Sequence, residues 1–330
     1  MFKKRTMGAI AGAVAAALIL AGCASDSGGD GGEASGGDGD KPYVALISKG
    51  FQHQFWQAVK AGAEQAAEEF DVEITFEGPD TEADVDQQIQ MLQTALDKSP
   101  AAIGFAALDS QAAGPLLQQA SDSSIPVIAF DSGVDSDIPL TTAATDNLAA
   151  AAEAAKHMAE AVGHEGKVAL VVHDQTSVTG QQRRDGFVTY MEENEPDIEI
   201  VDIQYGGGDQ AKSADLAKAI ISAHPDLKGI YGSNEGSAIG VVQAVKELGI
   251  EPSALTVVGF DSGKAQMDAI RDGLMVGAIT QNPVGIGYET VKAAVEAING
   301  EDLPETIDTG YYWYDASNID DEEIQAVLYE

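Results

Sequence analysis

The sequence predicts an α/β protein of doubly wound parallel sheets, and three observations lead there. From Tyr43 onward, short apolar, β-branched runs alternate with longer segments whose apolar residues recur every three or four positions. That is the pattern of strands buried on both faces alternating with helices that each turn one stripe inward. The chain has 330 residues, of which 44 % are apolar and 22 % charged. It is apolar enough to fold and too long for one hydrophobic core, so roughly two domains are expected. Finally, Val127-Ile-Ala-Phe-Asp-Ser132 returns as Val257-Val-Gly-Phe-Asp-Ser262, so two buried strands end alike.

In chain order, the segments Tyr43–Ile47, Val72–Phe76, Ala102–Ala106, Val127–Phe130, Lys167–Val172, Ile198–Gln204, Gly229–Tyr231, Thr256–Phe260 and Val276–Ile279 read as strands. Between them, Phe55–Phe70, Asp84–Asp97, Leu148–Val162, Ala211–Ala223, Ser237–Leu248 and Pro283–Ile298 carry helical spacing. In the first of these helices Val59, Ala63, Ala66 and Phe70 share one face. Strand, helix, strand repeated in this way gives parallel pairing through right-handed crossovers.

The repeated hexapeptide bears on function. Open α/β sheets bind ligands at the carboxyl edge of their strands, where the repeat places Asp131 and Asp261. Two sheets facing each other across a cleft would bring one carboxylate each to a shared ligand. The competing expectation is that both acids are helix N-caps or turn residues, a common use of aspartate after a strand.

The amino terminus reads as a separate unit. Lys3, Lys4 and Arg5 precede an apolar run from Met7 to Ala21, which ends in Leu20-Ala21-Gly22-Cys23. The run is shorter than the roughly 20 residues of a membrane-spanning helix and ends in small residues, the form of a secretion signal over 1–22. Leu-Ala-Gly-Cys resembles the lipobox of bacterial lipoproteins, which implies lipidation of Cys23, the chain's one cysteine. Residues 23–41, rich in Gly, Ser and Asp, cannot bury enough surface to order and are expected to form a flexible tether. The body would then work outside the cytoplasm, held to the membrane by lipid.

Charge and composition exclude other classes. With 18 Lys+Arg against 54 Asp+Glu, the net charge of −36 repels phosphate backbones, so nucleic acid is not an expected partner. One cysteine permits no internal disulfide, thiolate zinc cluster or CxxC pair. The sequence has no GxxxxGK[ST] loop, no HExxH and no GxSxG elbow, and its five histidines lack metal-ligand spacing. His173-Asp174 ends a strand without an evident nucleophile. No enzyme activity, cofactor or metal is therefore expected.

A family resemblance rests on an ordered set of motifs. These are Phe55-Trp56, Ile125-Pro-Val-Ile-Ala-Phe-Asp131, Thr145-Asp-Asn147, Arg183 ahead of Asp185-Gly-Phe187, Ala223-His-Pro-Asp226, Asn234-Glu235, Val258-Gly-Phe-Asp261, and Gln281 before Pro283. The set resembles the type I periplasmic-binding-protein fold over Tyr43 to about Thr309. It is most similar to the ribose-, galactose- and allose-type sugar-binding proteins of ABC importers, which share their fold with the sensor domains of lactose-repressor-like regulators. The resemblance implies two lobes joined by three crossings near Thr145, Gln281 and Ile307. One lobe would span 42–145 plus 282–306 and the other 146–281 plus 307–330. It also implies that Phe55 and Trp56 sandwich a sugar ring while Asp131, Arg183, Asn234, Asp261 and Gln281 bind its hydroxyl edge. His53 stands where ribose-type sequences often carry Asn and is either a contact or a loop residue. Asp109 is expected to be a cap, and Gln182 is a weaker site candidate. The aromatic run Tyr311 to Tyr314 is expected to pack on its lobe.

Two departures change what ligand is implied. Ribose binders carry Asn where this chain has Ala106, and an aromatic near the loop occupied here by Gly206-Gly207-Gly208. The expected ligand is therefore a small sugar or polyol of unspecified stereochemistry, captured by a monomer and delivered to an ABC permease. A receptor reporting to a membrane sensor is the alternative in the same fold. A glycosidase using Asp131 and Asp261 as its acid pair is the enzymatic one. A repressor is disfavoured, since no helix-turn-helix precedes Tyr43.

Overall fold

Two six-stranded sheets organise the chain in the computed structural model, which describes residues 41–329. The expected signal over 1–22, the lipidated Cys23 and the tether up to residue 40 lie outside the described residues. The element order opens with β1 (Tyr43–Ile47), α1 (Gln54–Glu69), β2 (Glu73–Glu77), α2 (Val85–Asp97), β3 (Ala102–Phe105), α3 (Gly114–Asp122), β4 (Val127–Phe130) and β5 (Thr142–Ala144). It continues with α4 (Asn147–Val162), β6 (Gly166–Val172), α5 (Val178–Asn194), β7 (Ile198–Tyr205), α6 (Gln210–Ala223), β8 (Leu227–Gly232), α7 (Glu235–Leu248), β9 (Thr256–Phe260), α8 (Lys264–Arg271) and β10 (Gly277–Gln281). Last come α9 (Pro283–Ile298), β11 (Thr306–Asp308), β12 (Tyr311–Asp315) and the short α10 (Glu322–Gln325).

The first sheet runs β11-β5-β4-β3-β1-β2 and the second β12-β10-β9-β8-β6-β7. Neighbouring strands are parallel throughout, except that β12 returns antiparallel to β10. The chain passes from the first lobe to the second after β5, returns after β10 into α9, and crosses again after β11. The sequence reading placed that third crossing near Ile307 and ended the first lobe at 306. Ile307 and Asp308 belong to β11, which pairs with Ala143 and Ala144 of the first sheet, so the lobe boundary follows Asp308. Three-residue strands such as β5 and β11 have no periodicity of their own, and their neighbours define them.

Each sheet is covered on both faces. In the first lobe Ala45, Ile47, Ile103 and Val127 pack with Leu92, Leu96 and Leu117, and Val44, Leu46 and Ile128 pack with Ala63, Val72 and Val291 on the other face. In the second lobe Val171, Ile230 and Val257 meet Val241 and Ile270, while Val168, Leu170 and Val258 meet Met158 and Phe187. The apolar runs that signalled strands are thus buried on both sides, as parallel sheets require. Helices α1 and α9 approach closely because both carry glycine where they cross. A Cβ at Gly287 would stand 1.9 Å from the Val59 carbonyl oxygen.

The aromatic run Tyr311 to Tyr314 forms β12 and packs on its lobe. Trp313 stacks on His157 of α4, with ring centroids 3.8 Å apart. Tyr314 is buried completely, and its hydroxyl donates to the Asp261 carbonyl oxygen at 2.8 Å.

Candidate functional site

The two Phe-Asp-Ser sequences form matching corners at the carboxyl edges of the two sheets. Phe130 ends β4 and Phe260 ends β9, and both rings are buried. The next amide in each case pairs with the neighbouring strand, Asp131 N–H with the Ala143 carbonyl and Asp261 N–H with that of Ile279. Both aspartates then take left-handed backbone, with φ of 55° and 78°. For a residue with a Cβ this is unfavourable, although aspartate tolerates it better than most. The turn directs both carboxylates inward, where each residue is at most 5 % exposed. Neither is a helix cap: α8 is capped by Gly263, and no helix directly follows Asp131.

A tight cavity of about 20 Å³ lies between the lobes, and all eight ligand candidates line it: His53, Phe55, Trp56, Asp131, Arg183, Asn234, Asp261 and Gln281. The aromatic pair opens α1, with Phe55 and Trp56 in edge contact at 4.9 Å and Trp56 against Phe130 at 6.3 Å. Arg183, in α5, is fixed from several sides. Its Nε donates to Asn147 Oδ1 at 2.8 Å, Nη1 donates to the Ser233 carbonyl at 3.1 Å, and the guanidinium lies 3.8 Å over the Phe260 ring. Asp261 stands 3.8 Å from Nη1 and accepts from Gln281 Nε2 at 2.7 Å and from the Glu235 amide at 2.8 Å. Gln281 Oε1 is buried with no hydrogen-bond partner among the described residues. Asn234 caps α7 through Oδ1 and donates across the cleft to Glu82 Oε2 at 3.2 Å.

Asp131 differs from this network. Among the described residues its carboxylate has no hydrogen-bond partner, although it lines the cavity and is almost wholly buried. A buried carboxylate without donors is costly unless something else supplies them.

Sequence reasoning missed four further lining residues: Lys49, Glu82, His173 and Thr179. Lys49 reaches from the loop after β1 to Thr179 Oγ1 at 3.0 Å in the other lobe. Glu82 accepts from Trp56 Nε1 at 2.7 Å and lies 3.6 Å from His53 Nε2. It also explains the glycine loop, since a Cβ at Gly208 would come within 2.6 Å of Glu82 Oε2. The glycine at this position leaves room for a carboxylate. The other candidates settle outside the cavity. Asp109 accepts from the Gln111 and Ala112 amides, the expected cap, and Gln182 lines an adjoining crevice beside the hinge strands, which Asp131 also borders.

Electrostatics separate the charged groups. Burial disfavours a proton on His53, but the Glu82 carboxylate, with Glu235 and Asp261 behind it, outweighs that and raises its pKa to about 9. Burial likewise opposes charge on Glu82, yet His53 and Lys49 hold it well below the usual carboxylate range. His173 is kept neutral by burial and by the nearby Lys49 and Arg183, against the pull of Asp174. Burial pushes Asp131 up to about 6, against the pull of Lys49 and Arg183.

A raised histidine pKa contributes stability that is complete below its unfolded value near 6.5 and is lost as pH rises through about 9. Urea unfolding of the wild type should therefore weaken between pH 7 and 10 more than that of His53→Gln. Parallel pH profiles for the two proteins would remove His53 as the cause.

Comparison with known proteins places these features in context. A family model described as a periplasmic binding protein domain matches residues 44–302. The D-allose-binding periplasmic protein of Escherichia coli (strain K12) is 28 % identical over 261 residues, covering 77 % of this chain and 83 % of that protein. An ABC transporter solute-binding protein from Agrobacterium vitis, solved with bound D-fucose, is 32 % identical and superposes with a TM-score of 0.84, covering 87 % of this chain and 100 % of that one. A second from the same organism, bound with α-D-tagatopyranose, is 30 % identical with a TM-score of 0.85, covering 88 % of this chain and 100 % of that one.

Proposed function

Since this chain belongs to the periplasmic binding protein family, we propose that it captures a small carbohydrate, a pentose, hexose or polyol, between its lobes and delivers it to an ABC-type permease. The observation that carries the reading is the unpartnered Asp131 carboxylate, facing a cavity into which the other lobe sends Arg183, Asp261 and Gln281. Sugar hydroxyls supply the donors that Asp131 lacks, and charged hydrogen bonds in a closed site are stronger than neutral ones. Phe55 and Trp56 offer an apolar shelf to the C–H face of a ring, and the polar groups take its edge. Ligand that touches both lobes shifts the open–closed equilibrium toward closure, and the permease reads the closed form.

The protein works outside the cytoplasm, and among the described residues no helix is long and apolar enough to cross a membrane. A lipid on Cys23 would keep it at the membrane surface. Cys23→Ser should move the protein from the membrane to the soluble fraction in detergent-free extracts, and unchanged fractionation would remove the anchor.

Pentoses, hexoses and polyols screened by thermal shift should yield at least one that raises Tm, with calorimetry giving one site per chain. If no carbohydrate raises Tm, the reading fails; if a sugar conjugate is hydrolysed, the acids form a glycosidase pair instead. Phe55→Ala should weaken the best ligand about tenfold or more through loss of the stacked face. Unchanged affinity in calorimetry would place the sugar elsewhere.

A further inference from the structure

Glu235 does not line the cavity, yet its contacts join the cavity's two halves. It is the first residue of α7, and its carboxylate crosses to the other lobe. Oε1 accepts from the Gln54 amide at 3.2 Å and Oε2 from the Phe55 amide at 3.2 Å. Those amides open α1, whose N-cap residue, His53, makes no side-chain capping bond. The first amides of a helix lack intrahelical acceptors and form the positive end of its dipole, so a carboxylate suits them. Glu235 is only 3 % exposed, and its own amide donates to Asp261 Oδ2 at 2.8 Å.

The remaining contacts follow the same seam. Gln54 Oε1 accepts from the Lys264 amide of the second lobe at 2.8 Å. A Cβ at Gly263 would lie 2.9 Å from the Glu235 carboxyl carbon. A Cβ at Gly236 would lie 1.9 Å from the Gly208 carbonyl oxygen of its own lobe and 2.8 Å from His53 Cε1. Bare backbone at Gly263 leaves room for the Glu235 carboxylate and Gln54, and at Gly236 for the Gly208 carbonyl and the His53 ring.

The geometry points to Glu235 as a positioning residue that caps α1 from the opposite lobe, latching the closed cleft and holding the Phe55–Trp56 shelf in register with Asp261. It does this without touching the ligand. The chain of bonds runs from the Phe55 amide to the Glu235 carboxylate, and from the Glu235 amide to the Asp261 carboxylate. Both lobes must be together for it to exist. Its contribution therefore belongs to the closed state alone and should govern opening rather than encounter. The ligand half of the test rests on the carbohydrate reading above; the ligand-free half does not.

The test compares the full chain with Glu235→Ala and Glu235→Gln. Without ligand, small-angle scattering should give a larger radius of gyration for Glu235→Ala than for the wild type, with Glu235→Gln between them. Stopped-flow binding would use whichever of D-ribose, D-allose, D-arabinose and D-fucose binds the wild type most tightly. The Ala variant should dissociate at least tenfold faster with an association rate within threefold, and Gln, which retains an acceptor oxygen, should recover part of the loss. A merely structural role would lower Tm in both variants and leave the dissociation rate within twofold, which overturns the proposal. Identical scattering for all three proteins also overturns it. If none of the four sugars binds the wild type, the carbohydrate reading is what fails, and scattering still decides the latch.

Discussion

Replacing Asp131 with Asn should weaken sugar binding a hundredfold or more and at the same time make the protein harder to unfold at neutral pH. The two effects come from one property. Asp131 is buried without a hydrogen-bond partner among the described residues, and burial raises it to about 6. An acid whose folded pKa lies above its unfolded value of 3.8 contributes stability at low pH and loses it as pH rises through about 6. At pH 7 the ionised group costs the empty protein roughly 3 kcal/mol, since each tenfold change in proton affinity is worth about 1.4 kcal/mol. Asparagine keeps the shape and removes the charge, so its urea midpoint at pH 7 should exceed that of the wild type. In the proposed complex the carboxylate would accept from two sugar hydroxyls, and replacing two charge-assisted bonds of about 1.5–3 kcal/mol each by at most one neutral one should cost two orders of magnitude or more in affinity. For the same reason wild-type affinity should decline below about pH 6, while that of the variant stays flat. A variant that binds normally, or loses binding together with stability, would show that Asp131 serves the fold.

Arg183→Met should abolish measurable sugar binding and destabilise the fold by about 3 kcal/mol. The guanidinium lies over Phe260, donates to Asn147 and the Ser233 carbonyl, and faces Asp261. Methionine fills much of the space but strands both acceptors and leaves Asp261 without its cation. Here binding and stability fall together, opposite to Asp131→Asn. Calorimetry and urea unfolding on both variants separate a residue that awaits a ligand from one that holds the pocket's shape. An Arg183→Met protein with wild-type stability and affinity would place the guanidinium outside the site.

The contrast shows what the sequence could reveal. Tyr43–Ile47, Val127–Phe130 and Thr256–Phe260 form as read, because continuous apolar runs buried on both faces carry their own signal. Thr142–Ala144 and Thr306–Asp308 do not, because pairing within the hinge makes them strands. The same divide runs through the site. Asp131 and Asp261 stood out through their repeated setting at strand ends. Lys49 and Glu82 are charged residues in loops, a composition that ordinarily means a solvated surface, yet both are buried and each bonds to the second lobe, Lys49 at Thr179 and Glu82 at Asn234. One clue was available for Glu82. Trp56 needs an acceptor for its indole N–H, and three successive glycines at 206–208 mark a place where another group comes close.

The carboxyl-terminal segment has a consequence of its own. The Tyr314 hydroxyl donates to the Asp261 carbonyl, and the Tyr329 hydroxyl accepts from the Ser262 amide at 3.1 Å. Tyr329 also meets the Phe55 ring at 6.1 Å. Two phenols of the carboxyl-terminal segment thus brace the corner that carries Asp261. Trimming by an extracellular protease just ahead of Tyr311 would disarm capture while every wall residue stayed in the chain, and a dye attached to this tail would report occupancy from outside the cleft.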